Sequence, residues 1–194
     1  FIEEIRDLII EAKDLGMRVL VIAGEGEPFL DKNIKSIIKH ANNNKLIPYI
    51  FTNGSKLDSE TIDFVKENEA SLIINVDSLD EKLYEKLTGI PSNFQKVYKN
   101  IQEVREKFKD TYTRIKNFEI RRIAINTVVS KANIDSLFIP RHCCGEEIGG
   151  FEEPLKDFCG EDFVLIYNSP MLIGRAISNE NFAITEEIKM KINE

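Results

Sequence analysis

Strand-like and helix-like segments alternate strictly along residues 1–129 of this 194-residue chain, and that order constrains its fold more than any other feature. Residues 1–15 place Ile2, Ile5, Ile9, Ala12 and Leu15 on one helical face, with Glu3, Glu4, Arg6, Asp7 and Lys13 on the other. Gly16 stops that helix. Arg18-Val19-Leu20-Val21-Ile22-Ala23 is a nearly unbroken apolar run, the pattern of a strand buried on both faces. A helix over 31–44 follows, with Ile34, Ile37, Ile38 and Ala41 inward, and then the strand Ile47-Pro48-Tyr49-Ile50-Phe51. Asp58 or Ser59 caps a helix running through Asn68, and Leu72-Ile73-Ile74-Asn75-Val76-Asp77 is the third strand. A helical stretch over 79–109, broken near Gly89-Ile90-Pro91, leads to Arg122–Val129. Such alternation predicts βα units, right-handed crossovers and a parallel sheet, with strands near 18–23, 47–52, 71–77 and 121–129.

Bulk composition narrows the partners. The net charge is -7, which opposes a phosphate backbone, so nucleic acid is not an expected partner. No apolar run reaches the roughly 18 residues that span a bilayer, so no membrane is expected. The opening residues Phe1-Ile2-Glu3-Glu4-Ile5-Arg6 have neither the basic nor the apolar region of a signal peptide, and they lack an initiator Met, so residues upstream are expected to be absent. Three cysteines do not make a secreted disulfide framework, which points to a reducing cytoplasm.

The alternation breaks after Asn133. A short segment, Ile134–Arg141, meets His142-Cys143-Cys144-Gly145 and then Gly149-Gly150, so residues are either missing around 134–150 or form an ordinary loop. The tail over 159–176 reads as a hairpin, with Phe163-Val164-Leu165-Ile166-Tyr167 and Met171-Leu172-Ile173 joined through Asn168-Ser169-Pro170. Thr185–Asn193 reads as a terminal helix.

Ligand sites of parallel β/α sheets lie beyond the carboxyl ends of the strands. Four such ends carry polar residues here. After the first strand come Gly24-Glu25-Gly26-Glu27-Pro28, where Gly26 lets a ligand approach the backbone and Pro28 holds Glu27 extended. Glu27 then offers a carbonyl and a carboxylate, both suited to an α-amino group, unless the segment is a solvated acidic turn. Thr52-Asn53-Gly54 ends the second strand and reads as a turn or a ligand contact. Asn75, Asp77 and Ser78 end the third, and Asp77 or Ser78 could simply cap the next helix. Asn126 interrupts an otherwise apolar strand, and a buried amide there needs partners from a neighbouring strand or from a ligand.

Together these segments resemble the radical S-adenosylmethionine (SAM) superfamily over about residues 1–135. Glu25-Gly26-Glu27-Pro28 is similar to its Gly-Gly-Glu-Pro motif, with Glu25 in place of the first Gly, and Thr52-Asn53-Gly54 to its Thr-Asn-Gly. Asn75-Val76-Asp77-Ser78-Leu79-Asp80 with Leu87-Thr88-Gly89, and Ile125-Asn126-Thr127-Val128-Val129 with Asn133, resemble motifs of the molybdenum-cofactor maturases. The resemblance implies an α/β fold, a partial (β/α)6 TIM-like barrel with parallel strands, plus a small C-terminal extension containing a hairpin. It divides the chain into a core at 1–135, without its first strand and cluster loop, and an extension at 136–194. It places SAM near Gly26, Glu27, Pro28, Thr52, Asn53, Gly54, Asn75, Asp77, Ser78 and Asn126. The α-amino group would lie at Glu27, and the ribose or carboxylate at Asn75, Ser78 and Asn126. It also implies a [4Fe–4S] cluster that cleaves SAM reductively to a 5′-deoxyadenosyl radical, an external electron donor, and a peptide, protein or small-molecule substrate.

One departure is plain: the family's Cys-x3-Cys-x2-Cys spacing occurs nowhere in these residues, so the cluster loop is expected upstream of Phe1. Cys143, Cys144 and Cys159 all fall in the tail. The resemblance allows them to ligate an auxiliary iron–sulfur cluster in an extension of the SPASM or twitch type, while the residues alone equally allow free thiols. The competing readings are a radical-SAM-like scaffold that binds a partner without catalysis, and another kind of β/α-barrel enzyme.

Overall fold

The computed structural model describes residues 2–168 apart from Glu25, Ser92, Lys116, Cys144 and Gly145, with only the backbone described at Ile115 and over 140–152. The expected hairpin arm Met171–Ile173 and terminal helix Thr185–Asn193 lie outside the described residues, as does Cys144.

The elements are α1 (Ile2–Asp14), β1 (Val19–Ile22), a 3-10 turn (Pro28–Leu30), α2 (Ile34–Asn43), β2 (Ile47–Thr52), α3 (Ser59–Glu67), β3 (Ser71–Asn75), α4 (Glu81–Thr88) and α5 (Phe94–Phe108). Then follow β4 (Tyr112–Ile115), β5 (Phe118–Arg121), β6 (Ile123–Val128), α6 (Ile134–Leu137), β7 (Ile139–Cys143), β8 (Glu146–Glu152), α7 (Pro154–Cys159) and β9 (Val164–Asn168). Hydrogen bonding orders the main sheet β1-β2-β3-β6-β9. β1 runs parallel to β2, with Val19 opposite Ile47, and β2 parallel to β3, with Tyr49 opposite Ser71. The donors Leu72 and Val76 find the carbonyls of Arg122 and Asn126, partners that advance together as parallel strands require. This is the open, parallel sheet of a partial barrel.

The chain divides into two compact units, the first of residues 1–75 and 95–124, the second of 76–94 and 125–194. In the first unit, Ile9 of α1 packs with Ala41 and Leu46, backed by Ile5, Leu20 and Ile37. α5 buries Val97, Ile101, Val104 and Phe108, a helical repeat on one face. Asp58, not Ser59, caps α3 by accepting the Thr61 N–H at 2.9 Å. Those bonds from Thr61 hold its carboxyl below the usual carboxylate range. Arg122 sends its guanidinium back to the carbonyls of Val65, Lys66 and Ala70, closing the end of α3. In the second unit, Tyr84 of α4 meets Phe94 edge-on at 5.4 Å, and Phe138 tilts against Tyr167.

Three features differ from the sequence reading. β1 is not buried on both faces among the described residues, where it comes first in the sheet order and Val21 is 57% exposed. An antiparallel hairpin, β4–β5, precedes β6, with Ile115 opposite Phe118 and Tyr112 opposite Arg121. Its strands have only four residues each, too few for alternation to register. The tail also carries a hairpin that the sequence reading did not give, β7–β8, after a single turn of helix at α6. The first arm of the expected hairpin is β9, which pairs with β6 as the last strand of the sheet among the described residues. Apolar periodicity finds a strand but does not choose its neighbour. No helix among the described residues is long and apolar enough to cross a membrane.

Candidate functional site

The first group of strand-end residues lies in the first unit and centres on Glu27. Gly26 takes φ +102, a conformation that favours glycine, and Glu27 follows in extended backbone as the cap of the 3-10 turn that begins at Pro28. Its carboxylate turns inward and is 8% exposed. One oxygen accepts the Thr52 hydroxyl at 2.8 Å and the Phe29 N–H at 3.2 Å, and the other accepts the Asn53 N–H at 2.8 Å. The carboxylate is thus engaged by three internal donors and ties the loop after β1 to the end of β2. The carbonyl of Glu27 accepts the Leu30 N–H at 3.0 Å and keeps a second lone pair. Both acceptors read from sequence are thus engaged within the fold, and the carbonyl keeps one lone pair for a further donor.

Thr52-Asn53-Gly54 is built around the same tie. The Thr52 hydroxyl also accepts the Gly54 N–H at 3.1 Å, and the Asn53 side chain accepts the Ser55 N–H at 2.9 Å. Gly54 sits at φ +76, and a Cβ there would come within 3.2 Å of Ile74 and 3.3 Å of Val97. Its carbonyl accepts the amide of Asn100 at 2.8 Å. Asn100 was missed by the sequence reading, although a polar residue among the buried positions of α5 is a legible signal. Asn75, the last residue of β3, is exposed.

The second group lies in the second unit and centres on Asp77. One of its carboxylate oxygens accepts the Val128 N–H at 2.8 Å. Burial pushes its carboxyl above the usual range, and the Val128 N–H partly offsets this. Desolvation, with the charge of Asp77, pushes the Tyr84 hydroxyl up to about 12. The Thr127 hydroxyl donates to the Val76 carbonyl at 2.7 Å. Asn133 is 1% exposed and makes a four-way tie: its amide nitrogen donates to the carbonyls of Asp77 and Val128, and its oxygen accepts from the N–H and hydroxyl of Ser130. Asn133 and Thr127 therefore fix where Asp77 stands.

Ser78 is fully buried and accepts the Asp80 N–H at 3.0 Å, while Asp80 caps α4 by accepting the Leu83 N–H at 2.8 Å. The helix cap that the sequence offered to Asp77 or Ser78 thus belongs to Asp80, and Ser78 stabilises the turn before it. Asn126 is 7% exposed inside β6, as its place in an apolar run requires, and its side-chain oxygen accepts from the amide of Asn168 at the end of β9. Asn168 was read from sequence as a turn residue.

Among the described residues no three His, Cys, Asp or Glu side chains are grouped for a metal ion, and the Cys143 side chain and Cys144 lie outside those residues. Cys159 is a buried thiol, not part of a disulfide among the described residues, at the end of α7. Cys143 ends β7, where the backbone alone is described.

Comparison with known proteins follows this geometry. A family model, the radical SAM superfamily, matches residues 2–118. Among solved structures, native anSMEcpe with bound AdoMet and Cp18Cys peptide superposes with a TM-score of 0.64 at 15% identity, covering 97% of this chain and 49% of that one. Native anSMEcpe with bound AdoMet gives 0.57 at 16%, covering 85% and 42%. Streptococcus suis SuiB bound to precursor peptide SuiA gives 0.55 at 21%, covering 84% and 31%. At these identities the likeness is one of fold, and the chain spans less than half the length of each. No curated protein matches the sequence.

Proposed function

The chain belongs to the radical SAM superfamily, and from that premise we propose that it forms the SAM-binding core of an enzyme acting on a peptide or protein. The observation that carries the reading is the placement of polar groups at the carboxyl ends of strands, where such a sheet binds its ligand. The chemistry of these groups suits SAM. The carbonyl of Glu27, with its second lone pair, is an acceptor for an α-amino group, the amide of Asn126 suits a carboxylate, and the carboxylate of Asp77 suits a hydroxyl group. Gly26 leaves open space where a Cβ would stand, so the backbone there can be approached closely. Thr52, Asn53 and Gly54 belong to the same strand-end group as Glu27, and Asn75 and Ser78 are the further strand-end residues that the reading assigns to SAM.

When bound, SAM supplies the radical chemistry; the protein's part is to orient it and to exclude side reactions. This chain's residues do not fit the family's [4Fe–4S] cluster, because its three cysteines, Cys143, Cys144 and Cys159, lack the Cys-x3-Cys-x2-Cys spacing. A peptide or protein substrate is favoured because anSMEcpe and SuiB, which share the fold, are seen with peptides. The domain division proposed is a core at 1–135 followed by a tail of maturase type.

Equilibrium dialysis with labelled SAM tests the reading. Saturable binding that Asn126→Ala weakens tenfold or more is expected. Saturable binding unaltered by Asn126→Ala and by Asp77→Ala would exclude this site, and no binding at all would favour the scaffold reading.

A further inference from the structure

Asn126 of β6 belongs to the motifs that carry the family resemblance, and its amide partner on β9, Asn168, does not. Asn168 closes β9 as an exposed residue, just before Ser169-Pro170. An Asn in that place ordinarily turns its side chain onto its own following backbone. Here it reaches across the sheet instead: its amide nitrogen donates to the side-chain oxygen of Asn126. Its backbone is held in the same register, because its carbonyl accepts the Val129 N–H at 2.8 Å. The residue before it is also anchored. Tyr167 packs on Phe138 with ring centroids 5.4 Å apart, and its hydroxyl donates to Glu153 at 3.4 Å. Burial, reinforced by Glu153, keeps that hydroxyl protonated.

An Asn side chain has one acceptor end and one donor end, and turning the amide over exchanges them. With its oxygen engaged by Asn168, Asn126 presents its nitrogen on the other side. That nitrogen carries two hydrogens, so one bond to the protein and one to a ligand can share it. We infer that Asn168 is a positioning residue for the ligand site: it fixes the amide of Asn126 so that its N–H group faces an acceptor oxygen of SAM, on the carboxylate or the ribose. The inference rests on the reading that Asn126 holds SAM. It adds that selection of an acceptor oxygen depends on a residue of β9 that does not itself touch the ligand.

The test is a thermodynamic cycle on SAM dissociation constants, measured by equilibrium dialysis on the full chain. Asn168→Ala removes the restraint and is expected to weaken binding about threefold. Asn168→Asp replaces the donor by an acceptor, which repels the Asn126 oxygen and turns the amide over. It is expected to weaken binding about tenfold or more, although its shape is closer to Asn. In the Asn126→Ala background both changes should fall below about twofold, since there is no amide left to orient. A merely structural role would lower affinity only in step with stability, so thermal unfolding without ligand is measured beside it, and an affinity loss in Asn168→Asp that outstrips its fall in Tm relative to Asn168→Ala is the expected result. Dialysis with decarboxylated SAM distinguishes the two oxygens: an Asn168→Asp penalty that disappears assigns the carboxylate, and one that persists assigns the ribose. Wild-type affinity in Asn168→Asp, with Asn126→Ala impaired, overturns the inference and leaves the SAM site standing. Penalties that multiply in the double variant overturn it as well, and wild-type affinity in Asn126→Ala overturns both.

Discussion

Replacing Glu27 should unfold the strand-end structure rather than merely remove a ligand contact. Its carboxylate takes three internal hydrogen bonds, two from backbone N–H groups and one from the Thr52 hydroxyl. A bond to a charged acceptor contributes about 1.5–3 kcal/mol, and a buried donor left without a partner costs about 1–3 kcal/mol. Thr52 is 1% exposed, so water does not replace the lost partner there. The N–H groups of Phe29 and Asn53 are part-buried, and water compensates them in part. Glu27→Ala is therefore expected to cost about 3–4 kcal/mol. Glu27→Gln keeps an oxygen for Thr52 and Phe29 but sets an NH2 group against the Asn53 N–H, for a cost of about 1–2 kcal/mol. Urea unfolding of the three proteins measures this. With a slope of about 2 kcal/mol per molar, Glu27→Ala should lower the midpoint by about 1.5–2 M, with Glu27→Gln between it and wild type. Thr52→Val should cost less in the Glu27→Ala background than in wild type, because the pair shares one bond. An Ala variant within about 0.5 kcal/mol of wild type that nonetheless loses SAM binding would show the carboxylate to be a ligand contact, refuting the internal tie.

Four further outcomes are expected. Gly54→Ala should lose about 2–3 kcal/mol in the same assay, since it combines φ +76 with a Cβ 3.2 Å from Ile74. Asn133→Ala, which unties Asp77, Val128 and Ser130, should cost about 2–4 kcal/mol and weaken SAM binding along with it. Because the folded carboxyl of Asp77 titrates above its unfolded value, the folded state holds the extra proton in that window. Stability should therefore fall as pH rises from the ordinary carboxylate value through the folded one, and Asp77→Asn should flatten that slope in a pH series of urea midpoints. Asp58 has the opposite sign: Asp58→Ala should cost about 1 kcal/mol at neutral pH, a difference that shrinks as acid protonates the wild-type cap.

The main sheet was legible because its signal is physical and local. β2, β3 and β6 are apolar runs that end in polar residues, and the burial of β3 and β6 on both faces leaves few other sequences possible there, while β2 is buried on alternate residues. β1 carries the same run, yet exposure of its edge depends on what pairs with it, which no local pattern states. β9 was found as a strand for its composition, while its neighbour β6 was not read. At the site, sequence located Glu27 and Asp77 but not the direction of either side chain. Two acceptors on one residue look alike until the fold places Thr52 and Asn53 against one of them. Asn133 and Asn168 show the limit most clearly. Both read as turn or motif residues, and their roles come from partners 56 and 42 positions away.

Formation of 5′-deoxyadenosine tests the central claim most directly. The full-length protein, made anaerobically with iron and sulfide, would be mixed with SAM and a strong reductant, and the product measured by mass spectrometry. The account predicts 5′-deoxyadenosine from wild type and a tenfold or greater loss of its rate at subsaturating SAM in Asn126→Ala. A protein that assembles its cluster and binds SAM, yet never forms that product, would contradict it.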